Sequence, residues 1–558
     1  MKFFSKEYGN INQAALLMGL FTLLSQILAL FRDRSIAHYI GPSPLLDTYY
    51  AAFRIPDLIY ISVASLASVT VLIPFIVEKM KGDEVTEPAG KLLGDIFTVF
   101  LFSMVLVSIG AFFLLPHLMG FVAPGFDASL QSKVILFSRI MLLSPILMGL
   151  SNLFGTVTQI FKKFFIYSLS PIFYNVGIII GVVFLYPIFG IIGLVFGVVL
   201  GAFFHFAIQA MASHSSGFTP KFSKIFSIDW KEIRRITATS LPRTLGLSFN
   251  SLALLSIIAF ASYLPGGSIS IFNFSFNLNT VPLNIVGISY AVAAFPSLVK
   301  AFSEKKEEEF KGHLKLAARQ IIFWSLPVVF LFIVLRAQIV RVILGTGSFS
   351  WNDTRLVAAS LAIFSVSIIS QAMVPLFSRV YYAAGDTKRP LSVNLFCSIL
   401  IIIFSFVFLR IFENFAYFRY FIESLLKVSD VPGTEVLMLP LAYSLGTTIN
   451  FILHWYFVKR DFLKKGESFI AKTSFQSLGA SFFIGFTAYL GLNLFSSVFD
   501  ITTGWGVFLQ GFISGVAGIL AGVLVLYLLK NEELKELFQT LKTKFWKIRI
   551  FLSPQEEL

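Results

Sequence analysis

Apolar stretches of about 20 residues, each long enough to cross the hydrocarbon core of a bilayer as a helix, recur along this whole 558-residue sequence. Fourteen are predicted, near 13–37, 47–78, 92–115, 132–158, 164–186, 188–212, 236–263, 268–299, 314–335, 355–384, 390–411, 436–458, 472–496 and 504–529. They are continuously apolar rather than alternating, which excludes a transmembrane β-barrel. With 56% hydrophobic and 13% charged residues and a mean hydropathy of +0.82, the chain carries more apolar surface than a soluble core of this length can hide. The predicted fold class is an all-α polytopic membrane protein: about fourteen transmembrane helices, in two six-helix lobes plus two C-terminal helices.

The net charge of +14 raises the possibility of a nucleic-acid partner, but its placement argues against one. An even number of spans and a short, basic N-terminus put both termini in the cytoplasm. Most basic residues then fall in cytoplasmic segments: Lys162 and Lys163, Lys221 to Arg235, Lys300 to Arg319, Lys388 and Arg389, and Lys459 to Lys472. The opposite loops near 187, 265 and 500 carry almost none. A multi-pass protein of the bacterial cell (inner) membrane is expected. The first apolar stretch is too long for a signal-peptide core and reads as an uncleaved helix. The single cysteine, Cys397, lies within an apolar run and permits neither a disulfide framework nor a cysteine metal site.

Residues 213–235 form the longest polar break in the first half. Phe222, Ile225, Phe226 and Trp230 recur at roughly helical spacing, which predicts an amphipathic cytoplasmic linker helix. The predicted organisation is an N-lobe (1–212), this linker, a C-lobe (236–458), two further spans (459–530) and a tail (531–558). In the tail, Leu534, Leu537, Phe538, Leu541, Phe545 and Ile548 share one helical face and predict a surface-lying anchor. The lobes resemble weak repeats: Pro56 and Pro282 interrupt corresponding helices. Gly125-Phe126 and Gly347-Ser348-Phe349 each precede a helix, a basic turn and Pro171 or Pro390.

No GxxxxGK(S/T) phosphate loop, no HExxH and no intramembrane acid–base pair is present, so no catalytic residue, metal or cofactor is expected. Transport without covalent chemistry is the simpler reading. Polar residues inside the spans are then the informative ones, because burying them in lipid is costly. Arg32, in Phe31-Arg32-Asp33-Arg34, either lines a cavity and holds an anionic headgroup or snorkels from a helix end; the sequence leaves both open. Arg54 and Asp57 are three apart, which predicts a local ion pair at the broken start of the second helix. Asp47 precedes them and is a candidate gate residue. Asn273, Asn277, Thr280 and Asn284, spaced 4, 3 and 4, predict a polar stripe that forms a cavity wall rather than interhelical glue. Ser62, Ser65 and Ser68 form a smaller stripe, and Arg243 follows Pro242 near a cytoplasmic end.

Two long segments carry a family resemblance. SQILALFRDRSIAHYIGPSPLLDTYYAAFRIPDLIY is similar to the first two helices of the MurJ (MviN) family of lipid II flippases, with the Arg-Asp pair, a following glycine, an aspartate and an aromatic-basic-x-Pro segment. GTGSFSWNDTRLVAASLAIFSVSIISQAMVPLFSRVYYAAGDTKRPLSVNLF resembles that family's Gly-x-Phe turn, tenth helix and Tyr-Ala-x-x-Asp-Thr-x-x-Pro turn. The resemblance places the chain in the multidrug, oligosaccharidyl-lipid and polysaccharide exporter superfamily. It implies two lobes around a central cavity that alternates between inward and outward access. The implied cargo is undecaprenyl-diphosphate bearing a disaccharide-pentapeptide, its diphosphate held by cavity arginines, since guanidinium pairs with phosphate oxygens.

Carried over residue by residue, Arg32 matches the helix-one arginine, Asp33 its acidic neighbour, Asp47 the gate aspartate and Arg54 the basic residue before Pro56. The family's deeper helix-one arginine falls at Gln26, its helix-two arginine near Tyr60, the following glutamate near Ser65 and its helix-eight arginine at Asn277. Expected substrate-binding residues are therefore Arg32, Arg54, Asn273, Asn277, Thr280, Asn284 and Gln26, with Asp33 and Asp47 as gate residues. Membrane lipids and cell-wall synthesis proteins are the other expected partners, and a monomer is expected. The alternatives are a flippase for another polyprenyl-linked glycan, or a cation-coupled exporter whose intramembrane carboxylate would be Asp33 or Asp57. A non-transporting membrane scaffold is disfavoured by the polar stripes.

Overall fold

The computed structural model describes residues 11–64, 72, 75–76, 78–80, 86–161, 163–215, 221–463 and 470–539. Among these the regular structure is helical throughout. In chain order the helices are α1 (Ile11–Tyr39), α2 (Pro44–Ala52), α3 (Arg54–Ile59), α4 (Glu87–Val122), α5 (Ala128–Met141), α6 (Leu143–Ile160) and α7 (Phe164–Ile180). They continue with α8 (Tyr186–Phe189), α9 (Ile191–Ser215), α10 (Trp230–Ala261), α11 (Ser268–Pro282), α12 (Ser289–Ser303), α13 (Glu307–Val334) and α14 (Arg336–Ile343). The last are α15 (Trp351–Val366), α16 (Ile368–Ala383), α17 (Lys388–Asn414), α18 (Ala416–Leu426), α19 (Met438–Phe462), α20 (Ala471–Phe495) and α21 (Gly504–Leu528).

Eleven spans among the described residues are long and apolar enough to cross a membrane, twelve if the α15–α16 pair, bent by 45°, counts as one. Helix α1 and the interrupted segment from α2 onward stand where the first two of the fourteen expected spans lie. Large apolar side chains such as Phe113, Phe475, Phe512 and Leu520 point outward. In water this would be costly; against lipid it is the stable arrangement, because only the backbone polar groups must be satisfied internally. The chain is a multi-pass membrane protein.

Helix starts follow local chemistry. Ser43 caps α2 by accepting from Leu46 N at 3.2 Å, with Pro44 at the first helical position. Asp127 caps α5 by accepting from Leu130 N at 2.8 Å. Two helix breaks lie beside prolines. Pro56 lies in the short α3, which runs into a π-helical turn at Tyr60–Ala64, and Pro282 closes α11 just before another at Leu283–Ile288. Each proline removes one main-chain donor, and the wider π turn accommodates the lost bond.

The chain divides into two compact units. The first comprises Met1–Leu278, Ile343–Ser360 and Thr387–Gly446. Within it α7 and the π turn that continues it at Gly181–Leu185 meet α9 through glycines: a Cβ on Gly177 would strike Gly201 Cα, and one on Gly181 would strike Gly197 Cα. Spaced four apart on both helices, these glycines let the backbones touch, which is how helices gain dispersion energy where lipid offers no hydrophobic drive. The second unit comprises Asn279–Val342, Leu361–Asp386 and Thr447–Leu558. Its core packs Leu298, Leu314, Ile321, Phe377, Tyr381 and Val458 from α12, α13, α16 and α19.

The linker is not one amphipathic helix. Residues 221–229 hold only a 3-10 turn at Ile225–Ser227, and α10 begins at Trp230 under an Asp229 cap that accepts from Lys231 N and Glu232 N. The reason lies in α4: Thr98 Oγ1 accepts from Ser223 N at 2.9 Å, and Asp95 Oδ2 from Asp229 N at 3.1 Å, so these amides bond outside any linker helix. Phe222, Phe226 and Trp230 are nonetheless exposed. The start of the tail is docked rather than free on a surface. Leu534 is buried with Phe323, Ala480 and Leu526, and Glu533 accepts from Arg319 Nε at 2.7 Å and Thr473 Oγ1 at 2.6 Å. Leu541, Phe545 and Ile548 lie outside the described residues, as do Ser65, Ser68 and the side chain of Arg243.

Candidate functional site

Within the first unit, α1, α2, α3, α7, α10 and α11 enclose a cavity of about 360 Å³. Arg32, Asp33, Tyr49, Tyr50, Arg54, Asp57, Tyr174, Asn273 and Asn277 supply its polar lining; Ile36, Phe53, Ile178, Leu254, Phe272 and Phe276 supply the apolar part. The second unit holds a separate cavity of about 430 Å³ against α12, α13 and the tail helix, with no arginine or lysine in its lining. Only the first therefore offers guanidinium groups to an anion.

Arg32 is in this cavity, not snorkelling. Its guanidinium donates to Asp33 Oδ1 at 2.9 Å through Nε and to Asn175 Oδ1 at 3.0 Å through Nη1. Asp33 is 3% exposed, and its second oxygen accepts from Asn277 Nδ2 at 3.0 Å. A chain of hydrogen bonds thus runs from α7 through α1 to α11, locking Arg32 in one orientation. Such preorganisation lowers the entropy lost when an anion arrives. Arg34, two residues on, turns away and donates to Ile343 O at 3.2 Å.

Arg54 departs from the sequence expectation. It makes no ion pair with Asp57; instead its Nη2 donates to Asn273 Oδ1 at 2.8 Å, while Asn273 Nδ2 donates to Ile269 O at 2.8 Å. The break between α2 and α3 aims Arg54 across the cavity at α11, where a neutral amide meets it. Arg54 Nε is buried without a partner. Asp57 is exposed at the cavity wall, and its carboxylate bonds to none of the described residues.

Asp47 sits outside the cavity lining and is 2% exposed. Its carboxylate accepts from Gly267 N at 2.6 Å, Ser270 N at 2.8 Å and Ser270 Oγ at 2.6 Å. The two amides are orphan donors at the start of α11, so Asp47 caps that helix from α2 and complements the positive end of its dipole. Two glycines make further close contacts between distant segments of this unit. Gly347, at φ +59, packs where a Cβ would strike His38 O, and Gly125 N donates to Ser262 Oγ at 2.9 Å.

Of the asparagine stripe, Asn273 and Asn277 line the cavity, whereas Thr280, Asn284 and Gln26 are not among its lining residues. Asn284 lies in the π turn after Pro282, outside the α-helical part of the stripe. Sequence reasoning missed Asn175, Tyr174 and the tyrosine pair Tyr49–Tyr50. Asn175 was detectable in principle, as the one amide side chain in this span, four positions after Pro171.

Known proteins share this architecture. A solved structure of "Lipid II flippase MurJ, inward closed conformation" superposes with a TM-score of 0.71 at 21% identity, covering 94% of this chain and all of that one. An inward-facing multidrug resistance MATE family transporter of the MOP superfamily superposes at 0.63 with 14% identity, covering 80% and 98%. These likenesses establish the fold. In sequence, the "Probable lipid II flippase MurJ" of Buchnera aphidicola subsp. Acyrthosiphon pisum is 29% identical over 400 residues, 70% of this chain and 77% of that protein. The Aquifex aeolicus protein of the same description is 27% identical over 422 residues, 75% and 81% respectively. The "Lipid II flippase MurJ" of Burkholderia cenocepacia is 23% identical over 390 residues, 69% and 75%. The family model described as "Lipid II flippase MurJ" matches residues 36–505. With most of the sequence under that match, the chain belongs to the MurJ family.

Proposed function

We propose that this protein moves a lipid-linked peptidoglycan precursor, lipid II, from the cytoplasmic to the outer leaflet by alternating access. The observation that carries the reading is the cavity in which Arg32 and Arg54 converge, both preorganised by amide partners. A diphosphate entering it meets guanidinium donors in a setting shielded from water, where charge-assisted hydrogen bonds are strongest. Family membership supports the same cargo. The lobes are residues 1–212 and 236–458, and α20 and α21 are appended to the second. Both termini lie in the cytoplasm of a cell with a peptidoglycan wall, and the protein acts in the inner membrane as a monomer.

Asn277, at the position of a family arginine, favours one further reading, a flippase for another polyprenyl-linked glycan with less charge near its lipid. Complementation separates the two. Expression in cells depleted of their own lipid II flippase should restore growth in an Arg32-dependent manner. Failure despite correct membrane insertion would reject lipid II as cargo.

A further inference from the structure

The cavity holds two cationic and two anionic side chains, and its bonding leaves them unequally engaged. Asp33 has both oxygens occupied, one by Arg32 and one by Asn277. Arg32 engages Asp33 through Nε and Nη2 and Asn175 through Nη1, and Arg54 has turned to Asn273. Asp57 alone of the two carboxylates is unengaged, exposed to the cavity and bonded to none of the described residues.

A carboxylate held without a partner inside a membrane span is costly, and such groups mark sites of use. Its surroundings indicate what it takes. Tyr49, Tyr50 and Tyr174 line the same cavity as Asp57. A carboxylate that shares a cavity with aromatic rings suits an organic ammonium, which the charge and the ring faces both attract. It suits a bare metal ion poorly, since no group of three His, Cys, Asp or Glu side chains able to hold one occurs among the described residues.

We propose that Asp57 recognises a primary ammonium on the peptide part of the cargo headgroup, while Arg32 and Arg54 take the phosphates. The proposal rests on the cavity being the cargo site. It makes this a dipolar cavity, selective for a headgroup that carries both an anion and an amine.

The test uses the full-length protein in lipid nanodiscs and two probes: a prenyl-diphosphate disaccharide-pentapeptide with its side-chain amine free, and the same molecule with that amine acetylated. The native protein should bind the free amine about tenfold more tightly or better, as close charge pairs in shielded sites do. Asp57→Asn should abolish the discrimination and Asp57→Glu should keep it, with thermal melting confirming that both variants fold. Equal binding of both probes by the native protein would overturn the inference and leave the lipid II reading standing. Discrimination that survives in Asp57→Asn would assign the amine to another residue. Binding of neither probe would reject the cargo itself, and the inference with it.

Discussion

Arg54 donates to Asn273, 219 positions away on α11, at 2.8 Å, and not to Asp57 three positions along its own chain. The i,i+3 spacing predicted the local pair; the kink around Phe53 and the proximity of α11 produced the distant one. Replacing Asn273 by Leu removes the acceptor and leaves a desolvated guanidinium, at a cost of about 1.5–3 kcal/mol. The expected outcome is a lower melting temperature and an Arg54 redirected toward Asp57. Asn273→Asp turns this bond into an ion pair, gives up the Asn273 Nδ2 bond to Ile269 O, and should weaken cargo binding by neutralising Arg54.

Arg32 and Arg34 lie two positions apart and bond in different directions, Arg32 to Asn175 in the cavity and Arg34 to Ile343 O. Arg32→Ala should abolish complementation of a flippase-depleted strain with little change in expression or insertion, and Arg34→Ala should be milder. Asn175→Ala, which frees one end of the Arg32 guanidinium, should give partial loss. Equal, small effects for all three would remove Arg32 from cargo recognition.

Asp47 caps α11 through three accepted hydrogen bonds. Asp47→Ala leaves Gly267 N and Ser270 N without their acceptor in a buried setting, a loss of about 1–3 kcal/mol. The melting temperature should fall accordingly. Cysteines placed at Pro44 and Gly266, whose atoms pack directly here, should cross-link less readily in the variant if the join loosens.

The docked tail gives a pH prediction. Lys472 and then Arg319, each donating to Glu532 at 2.7 Å, hold its carboxyl down at about 2, below the ordinary value of 4.5. A depressed carboxyl stabilises the folded form above pH 4.5 and loses that contribution as the pH falls toward 2. Protease protection of the tail should therefore weaken across this acid window, and Glu532→Gln should flatten the dependence. Glu533→Ala, which strips an acceptor from Arg319 and from the buried Thr473, should cost about 1–3 kcal/mol at neutral pH.

Topology is tested directly. Reporters fused after Lys306 should be cytoplasmic, and those near Gly266 or Asp500 external. Opposite labelling at two of these positions would sink the fourteen-span arrangement.

Hydropathy alone determined the helical class and nearly every span, because in a bilayer apolar length and backbone self-satisfaction leave few other solutions. It also pointed to Arg32, Arg54, Asn273 and Asn277, since polar groups within spans are few. What pairs with what was settled only by the tertiary structure. Whether Arg32 snorkels or lines a cavity depends on Asn175 of α7, 143 positions away. Asp47 became a cap because α11 begins beside it. The linker broke from helical form because Asp95 and Thr98 bond its amides. Local periodicity encodes which face a residue occupies; the partner on that face is set by how separate helices pack, and that distance information is absent from the spacing of residues along one chain.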